Sequence, residues 1–334
     1  MPELRKHPIL KDWVMIDPKR VERHLHIDSG GNFETDKSKC PFQDLSSNEE
    51  DPILSYSQDS DLEGWTLQVI KNKFPAVEPE NNSSVWGVGP YKKRTAHGYH
   101  ELLVTKSHHE DFDSLKDEEA FDVFRALQER YRALSQRNRV QFVSMFHNWG
   151  KRAGASVYHP HYQIISLPVV PSGTKEYLEG SRRYKEKNGT CGYCDMIQKE
   201  QEDGTRVVFE NEKVICFVPF ASKAPFEMRI FPKEHSPYFR REDERVLKEI
   251  SFGLKNVIKS LKRNLSSPDY NFFIHSAPAE NDEFNYFHWH IEVRPRVIIP
   301  GGLEKGTGMY VNVVSPESAA KVLNGISAGF PEEV

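Results

Sequence analysis

The sequence predicts an α+β fold of two related units, each a mainly antiparallel sheet with helices packed on one face. Three observations carry that expectation. The 334 residues correspond to two domains at about 150 residues each. Two segments about 130 residues apart run through the same elements in the same order. Each segment closes on a strand with alternating histidines, HPHYQIISL from His159 and HWHIEVRP from His288.

In the first half, Glu101 to Val104 reads as a strand, followed by the adjacent His108 and His109. A helix comes next, with Ser114 as its predicted cap and Asp117 three residues on. Phe121, Phe124, Leu127, Tyr131 and Leu134 recur along it at helical spacing. Val140 to Phe146 then reads as a buried strand, the turn NWGKRAGAS follows, and HPHYQIISL ends the unit. The second half repeats this order. Met228 to Phe231 is the strand, His235 follows it, and a helix runs from Glu242 to Leu265 with Val246, Ile250, Val257, Leu261 and Leu265 on one face. Tyr270 to Ile274 is the next strand, before HWHIEVRP. Residues 171–190 are polar, with charges and glycines but little apolar periodicity. They read as a linker between an N-terminal unit, 1–170, and a C-terminal unit, 191–334.

Composition narrows the function. With 45 basic and 49 acidic residues the formal net charge is -4, which gives no electrostatic case for a nucleic-acid partner but leaves room for a local basic pocket holding one small anion. No apolar run approaches the roughly 20 residues that cross a bilayer, and MPELRKHPILKDW lacks the hydrophobic core of a signal peptide, so no membrane partner and a cytoplasmic location are expected. Four cysteines, Cys40, Cys191, Cys194 and Cys216, are too few for a disulfide framework. Cys191 and Cys194 form a CxxC pair, a candidate metal site, whereas Cys216 in VICFVPFA reads as core.

Residues two apart on a strand share a face, so His159, His161 and Gln163 should project together, as should His288, His290 and Glu292. About 0.6 HxH triplets are expected by chance from this histidine content, and three occur. His24 and His26, outside any repeat, read as half-exposed strand histidines. The other two pairs stand at equivalent points of a duplication, and one follows a glycine-rich turn. A neutral imidazole nitrogen attacks phosphorus well near pH 7 and gives a phosphoramidate that a second acceptor reopens. Charge on the phosphate oxygens needs fixed donors, which the backbone of Gly154, Ala155 and Ser156, the Ser156 hydroxyl and the Gln163 amide can supply. An amide at position 163 binds and orients but shuttles no proton, which disfavours hydrolysis.

These residues resemble the histidine-triad (HIT) superfamily and, within it, the galactose-1-phosphate uridylyltransferase branch. The resemblance runs almost the length of the chain, through ELRKHPILKDWVMIDPKRVER, NKFPA, GYHELLV, NWGKRAGASVYHPHYQIISLPVVP, PFEMRIFPKEH, FHWHIEVRPR and GGLEKGTGMYVNVVSPESAA. AGAS, LPVVP and the GTG near the end are more similar to relatives that act on ADP-glucose than to the dedicated galactose enzymes. The resemblance implies ping-pong transfer of a nucleoside monophosphate from a nucleotide sugar to phosphate or a hexose 1-phosphate. By matching, His161 is the nucleophile and Gln163 a phosphate ligand; Ser156, Asn148 and Gly154 line the phosphate site; Arg20, Arg23, Asn72 and Phe74 lie around nucleotide and phosphates. Glu304 matches a sugar-binding residue in a site shared across a homodimer. The resemblance also implies zinc held by a CxxC, a histidine after the middle strand and the first histidine of HxH. Cys191, Cys194, His235 and His288 complete that set in the second half. In the first, Gln43 replaces a cysteine, leaving Cys40, His108 or His109, and His159. HWHIE lacks the phosphate turn, so His290 and Glu292 are expected to support the fold. The competing readings are a dinucleoside polyphosphate phosphorylase and a non-catalytic nucleotide-binding relative.

Overall fold

The structure is a computed structural model, and it describes residues 2–21, 25, 35–43, 45, 51–57, 64–79, 84–278 and 283–325. Its strands are β1 (Glu3–Lys6), β2 (Trp13–Ile16), β3 (Leu54–Ser57), β4 (Trp65–Lys71), β5 (Val85–Val88), β6 (Tyr91–Arg94), β7 (His100–Thr105), β8 (Phe142–Trp149), β9 (His161–Leu167), β10 (Val207–Glu210), β11 (Val214–Phe217), β12 (Met228–Pro232), β13 (Tyr270–His275), β14 (His290–Pro295) and β15 (Val311–Asn312). The helices are α1 (Asp117–Ser135), α2 (Ser172–Asn188), α3 (Gly192–Asp203), α4 (Glu244–Asn264), α5 (Gly302–Thr307) and α6 (Pro316–Leu323).

The duplication shows in the strand order, β10-β11-β12-β14-β13-β8-β9-β7-β4-β3. Read outward from the centre, each half lays down its strands in the same sequence. Instead of two separate sheets, the halves form one antiparallel sheet, joined where β8 pairs β13 from Tyr270 opposite Trp149 to Ile274 opposite Met145. Each of these strands would otherwise be the edge of a five-stranded unit, with a row of unpaired backbone groups; pairing the two edges satisfies both rows.

α1 and α4 pack on one face of this sheet. Phe124, Leu127, Tyr131 and Leu134 of α1, and Val246, Ile250, Val257 and Leu261 of α4, are buried against Tyr162 and Ile164 of β9 and Ile291 and Val293 of β14. Phe121 is half-buried at the margin. Full burial of such side chains stabilises by about 1.5–3 kcal/mol apiece. The predicted cap of α1 is corrected: Ser114 is exposed and precedes the helix, and it is the Lys116 N–H that donates to Glu119 Oε2 at 3.1 Å. Asp243 caps α4 by accepting from the Val246 N–H at 2.8 Å.

The segment read as a linker is helical: α2 fills residues 172–188 and ends at Gly189 in the left-handed conformation, φ 81°. Few of its residues are apolar because only a narrow strip, Leu178, Gly180 and Ser181, is buried, which is why periodicity did not reveal it. Gly180 is required there, since a Cβ would lie 2.5 Å from the Ile9 carbonyl oxygen. Ile9, Leu178, Tyr193 and Ile197 cover the second half's sheet face opposite α4, packing with Phe217 and Phe231. No helix among the described residues is long and apolar enough to cross a membrane.

Candidate nucleotidyl-transfer site

β9 divides its side chains by the pleat. Tyr162 and Ile164 enter the helix-side core, while His161 and Gln163 face the other way into a cleft of about 390 Å³, a size suited to a small ligand. Ser156, Asn72 and Phe74 line the same cleft, with Lys71 and Lys73 beside them. Five of the residues expected at the site thus converge, and two cations accompany them.

His161 is buried, and its Nδ1–H donates to the His159 carbonyl oxygen at 2.9 Å. A carbonyl only accepts, so Nδ1 carries the proton and Nε2 keeps its lone pair. Burial pushes the imidazole down to about 4, so the ring is neutral at pH 7. These are the requirements of a nitrogen nucleophile.

The glycine-rich turn is held from the other half. The Arg152 N–H donates to Asp269 Oδ2 at 2.6 Å, and Asn271 Nδ2 donates to the Ala153 carbonyl at 2.8 Å. At Gly150, φ is 86° and a Cβ would sit 2.1 Å from the Asp269 carboxyl; Gly154 ends the turn at φ 87°. Neither position suits another L-residue. Asn271 Nδ2 also donates to Asn148 Oδ1 at 2.7 Å, which fixes the Asn148 carbonyl toward the protein and leaves its amide nitrogen to donate elsewhere.

Behind β9 lies a network that the sequence reading missed. His147 Nδ1 donates to the His161 carbonyl at 2.8 Å, and its Nε2 to Asp111 Oδ1 at 3.2 Å. Lys262 reaches Asp111 at 2.6 Å and Asp113 at 2.5 Å, and Tyr270 OH donates to Asp111 at 2.7 Å. Burial alone would raise the Asp111 carboxyl, but Lys262 and His147 hold it well below the usual carboxylate range. Alternation along VQFVSMFHNW does place His147 on the helix-facing side, but its partners come from distant segments.

Two clusters can hold a metal ion. In the second half, Cys191, Cys194, His235 and His288 place one ligand atom each within 4.8 Å of one another. Cys194 Sγ is 3.3 Å from His235 Nδ1 and 3.6 Å from His288 Nδ1. A tetrahedron with bonds of about 2.0–2.3 Å has edges of about 3.3–3.8 Å. His235 Nε2 donates to the Asn285 carbonyl at 3.0 Å, turning its Nδ1 lone pair to the cluster, as histidine ligands require. Hydrogen bonds from Cys194, His235 and His288 lower the Cys191 thiol despite burial. In the first half, Cys40, His108 and His159 form the second cluster. His159 Nε2 donates to the Thr105 carbonyl at 2.6 Å and presents Nδ1 to Cys40 Sγ at 3.4 Å. Of the adjacent pair, His108 joins and His109 is exposed outside the cluster. Buried Gln43 Oε1, on the same turn as Cys40, has no hydrogen-bond partner.

The expectations for His159 and Arg20 are corrected. His159 precedes β9 and turns into the metal cluster instead of sharing the cleft with Gln163, because the strand starts only at His161. Arg20 and Glu304 line a different cleft, of about 150 Å³, which shares no lining residue with that of His161. Arg23, His24 and His26 lie outside the described residues. His290 opens on no cleft: it is fully buried, 4.8 Å between ring centroids from both Phe231 and His275. Glu292 is buried beside Arg229 at 3.8 Å and His275 at 3.5 Å.

The N-terminal domain model of galactose-1-phosphate uridyl transferase matches residues 1–171, and the C-terminal binding model of the scavenger mRNA decapping enzyme matches residues 190–295. ADP-glucose phosphorylase of Arabidopsis thaliana is 32% identical over 98% of this chain and 93% of its own. Galactose-1-phosphate uridylyltransferase of Thermotoga maritima is 27% identical over 97% of this chain and 98% of its own. The crystal structure of the Arabidopsis thaliana ADP-glucose phosphorylase with bound ADP-glucose superposes with a TM-score of 0.82 at 30% identity, covering 98% of this chain and all of that one. A duplicated sheet, a neutral histidine aimed into a cleft and full-length likeness to these enzymes together place the chain in the galactose-1-phosphate uridylyltransferase family.

Proposed function

We propose that this protein is a nucleotidyltransferase that takes a nucleoside monophosphate from a nucleotide sugar, with ADP-glucose the favoured donor, and passes it to phosphate or a hexose 1-phosphate. The observation that carries the proposal is His161, neutral, with Nδ1 tied to the His159 carbonyl and Nε2 aimed into the cleft with Gln163 and Ser156. The Nε2 lone pair attacks the α-phosphorus, the bond from phosphorus to the bridging oxygen breaks, and sugar 1-phosphate leaves with that electron pair. An oxygen of the acceptor phosphate then attacks the same phosphorus, and the N–P bond returns its electrons to the imidazole. Gln163, Ser156 and the turn amides stabilise charge on the phosphate oxygens. The 32% identity to ADP-glucose phosphorylase supports the choice of donor.

Zinc fits the two-sulfur, two-nitrogen donor set of Cys191, Cys194, His235 and His288. There it would staple α3 to the strand ends that carry the histidines, with no part in the transfer itself. The first cluster offers three such ligands, and the orphaned Gln43 oxygen is a weak fourth. Thiolate ligands and four free cysteines suit the reducing cytoplasm. Because Glu304 and His161 line different clefts of one chain, we place Glu304 of one protomer at the sugar site of the other in a homodimer.

Intact-protein mass spectrometry after brief incubation with ADP-glucose, UDP-glucose, UDP-galactose or a dinucleoside polyphosphate tests the reading. An AMP-sized adduct from ADP-glucose on the wild type, absent from a folded His161→Ala protein, is the expected result. Appreciable turnover by His161→Ala would remove His161 as nucleophile. An adduct from the dinucleoside polyphosphate alone would favour the phosphorylase reading, and nucleotide binding without any adduct the non-catalytic one.

A further inference from the structure

Gln163 is useful to a phosphate only through its amide nitrogen, because its carbonyl oxygen would meet the phosphate oxygens acceptor to acceptor. The two ends of a primary amide are nearly the same shape, so packing alone does not choose between them. The neighbouring side chain does. His100, on β7, projects to the same face as Gln163 and its Nε2 lies 3.1 Å from Gln163 Oε1. On the other side of the ring, the Ala76 backbone N–H donates to His100 Nδ1 at 3.1 Å. A backbone N–H is always a donor, so Nδ1 carries a lone pair and, in the neutral ring, the proton is on Nε2. Burial lowers the His100 imidazole below its ordinary value, in keeping with a neutral ring.

Asn72 closes the remaining ambiguity. Its Oδ1 accepts from the Phe74 N–H at 2.9 Å, so the end facing His100 is the amide nitrogen, another donor. That nitrogen lies 3.3 Å from Nδ1 and 3.0 Å from Nε2. It can share the Nδ1 lone pair, but against Nε2–H it is donor to donor and makes packing contact only. Gln163 Oε1 is the acceptor left for Nε2–H.

We propose that His100 is a positioning residue: relayed from the Ala76 amide through its ring, it locks the Gln163 carbonyl inward so that the amide nitrogen meets the substrate phosphate. The proposal rests on the reading of Gln163 as a phosphate ligand. It gives Asn72 and the NKFPA segment an indirect part, since Ala76 sets the tautomer that sets the amide.

Steady-state kinetics with ADP-glucose and phosphate test it on the purified full-length chain as wild type, His100→Leu, His100→Gln, Gln163→Ala and the His100→Leu/Gln163→Ala double variant, with melting temperatures as a check on folding. Loss of the pre-set amide should lower kcat about 3- to 10-fold in His100→Leu, the scale of immobilising one rotamer-rich side chain on binding, with less change in KM. A glutamine at 100 can accept from Ala76 and donate toward Gln163, so His100→Gln should recover most of the lost kcat. In the Gln163→Ala background, His100→Leu should cost less than about 2-fold, because the group it orients is gone. Equal costs in both backgrounds would make His100 merely structural and overturn the proposal. An unchanged rate in Gln163→Ala would instead remove Gln163 as a phosphate ligand, and the proposal with it. Should His100→Leu not fold, ¹⁵N NMR of histidine-labelled wild type decides: Nε2 protonated and Nδ1 bare at His100 is expected, and the reverse tautomer refutes.

Discussion

Asp111→Asn probes the buried network on which the nucleophile's strand rests. In the wild type, one carboxylate accepts from Lys262, His147 and Tyr270, and Asp113 is the other anion facing Lys262. The neutral amide leaves Lys262 with Asp113 alone and deprives His147 Nε2 of its carboxylate, in a region where Asp111 is 1% exposed. Breaking a buried pair of this kind costs about 3–5 kcal/mol. With about 2.1 cal/mol/K of unfolding entropy per residue, 334 residues give roughly 0.7 kcal/mol/K, so Tm should fall by about 4–7 °C. The assay is calorimetry at pH 7 on both proteins with equal metal loading. The folded carboxyl titrates below its unfolded value, so its stabilisation is complete above about pH 4 and is lost as pH falls through the folded value. The difference in Tm should accordingly be flat from pH 7 to 5 and shrink below about pH 4. A drop of less than about 1 °C at pH 7 would refute the reasoning, since it would mean that Lys262 does not depend on this carboxylate.

Two further outcomes are expected. Protein purified without chelator should carry one zinc per chain, and Cys194→Ser should lose it together with thermal stability; a full complement of zinc in Cys194→Ser would exclude that ligand set. If Glu304 completes a site in the opposite protomer, His161→Ala and Glu304→Ala should each be nearly inactive alone yet regain about a quarter of wild-type activity when unfolded together and refolded as an equal mixture, as random pairing of two-fold dimers gives. No recovery in folded mixed dimers would place both residues in the same chain's site.

Much of the site could be read from local pattern. The period-two spacing of HPHYQ put His161 and Gln163 on one strand face, and the cleft brings them together with Ser156, Asn72 and Phe74. The apolar stripe of α4 was equally legible, because Val246, Ile250, Val257 and Leu261 all reach the core. The helix within residues 171–190 was missed for a local reason: α2 buries too narrow a strip to leave a periodic signal.

Local chemistry along the chain, then, determined the duplication, the histidine strands and the two principal helices, because spacing, turn residues and pleat alternation depend on near neighbours, whereas the metal-ligand sets came from the family resemblance. Only the tertiary structure decided that the two sheets are one, that His108 and not His109 joins Cys40, that His290 is sealed while His161 is open, that Asp111 and Lys262 stand behind the site, and that His100 stands beside Gln163 within it. The reason is physical. Hydrogen-bond partners such as Asp111 and Lys262 are separated by long stretches of sequence, and only the joining of β8 to β13 and the packing of α4 against the first half bring them within reach.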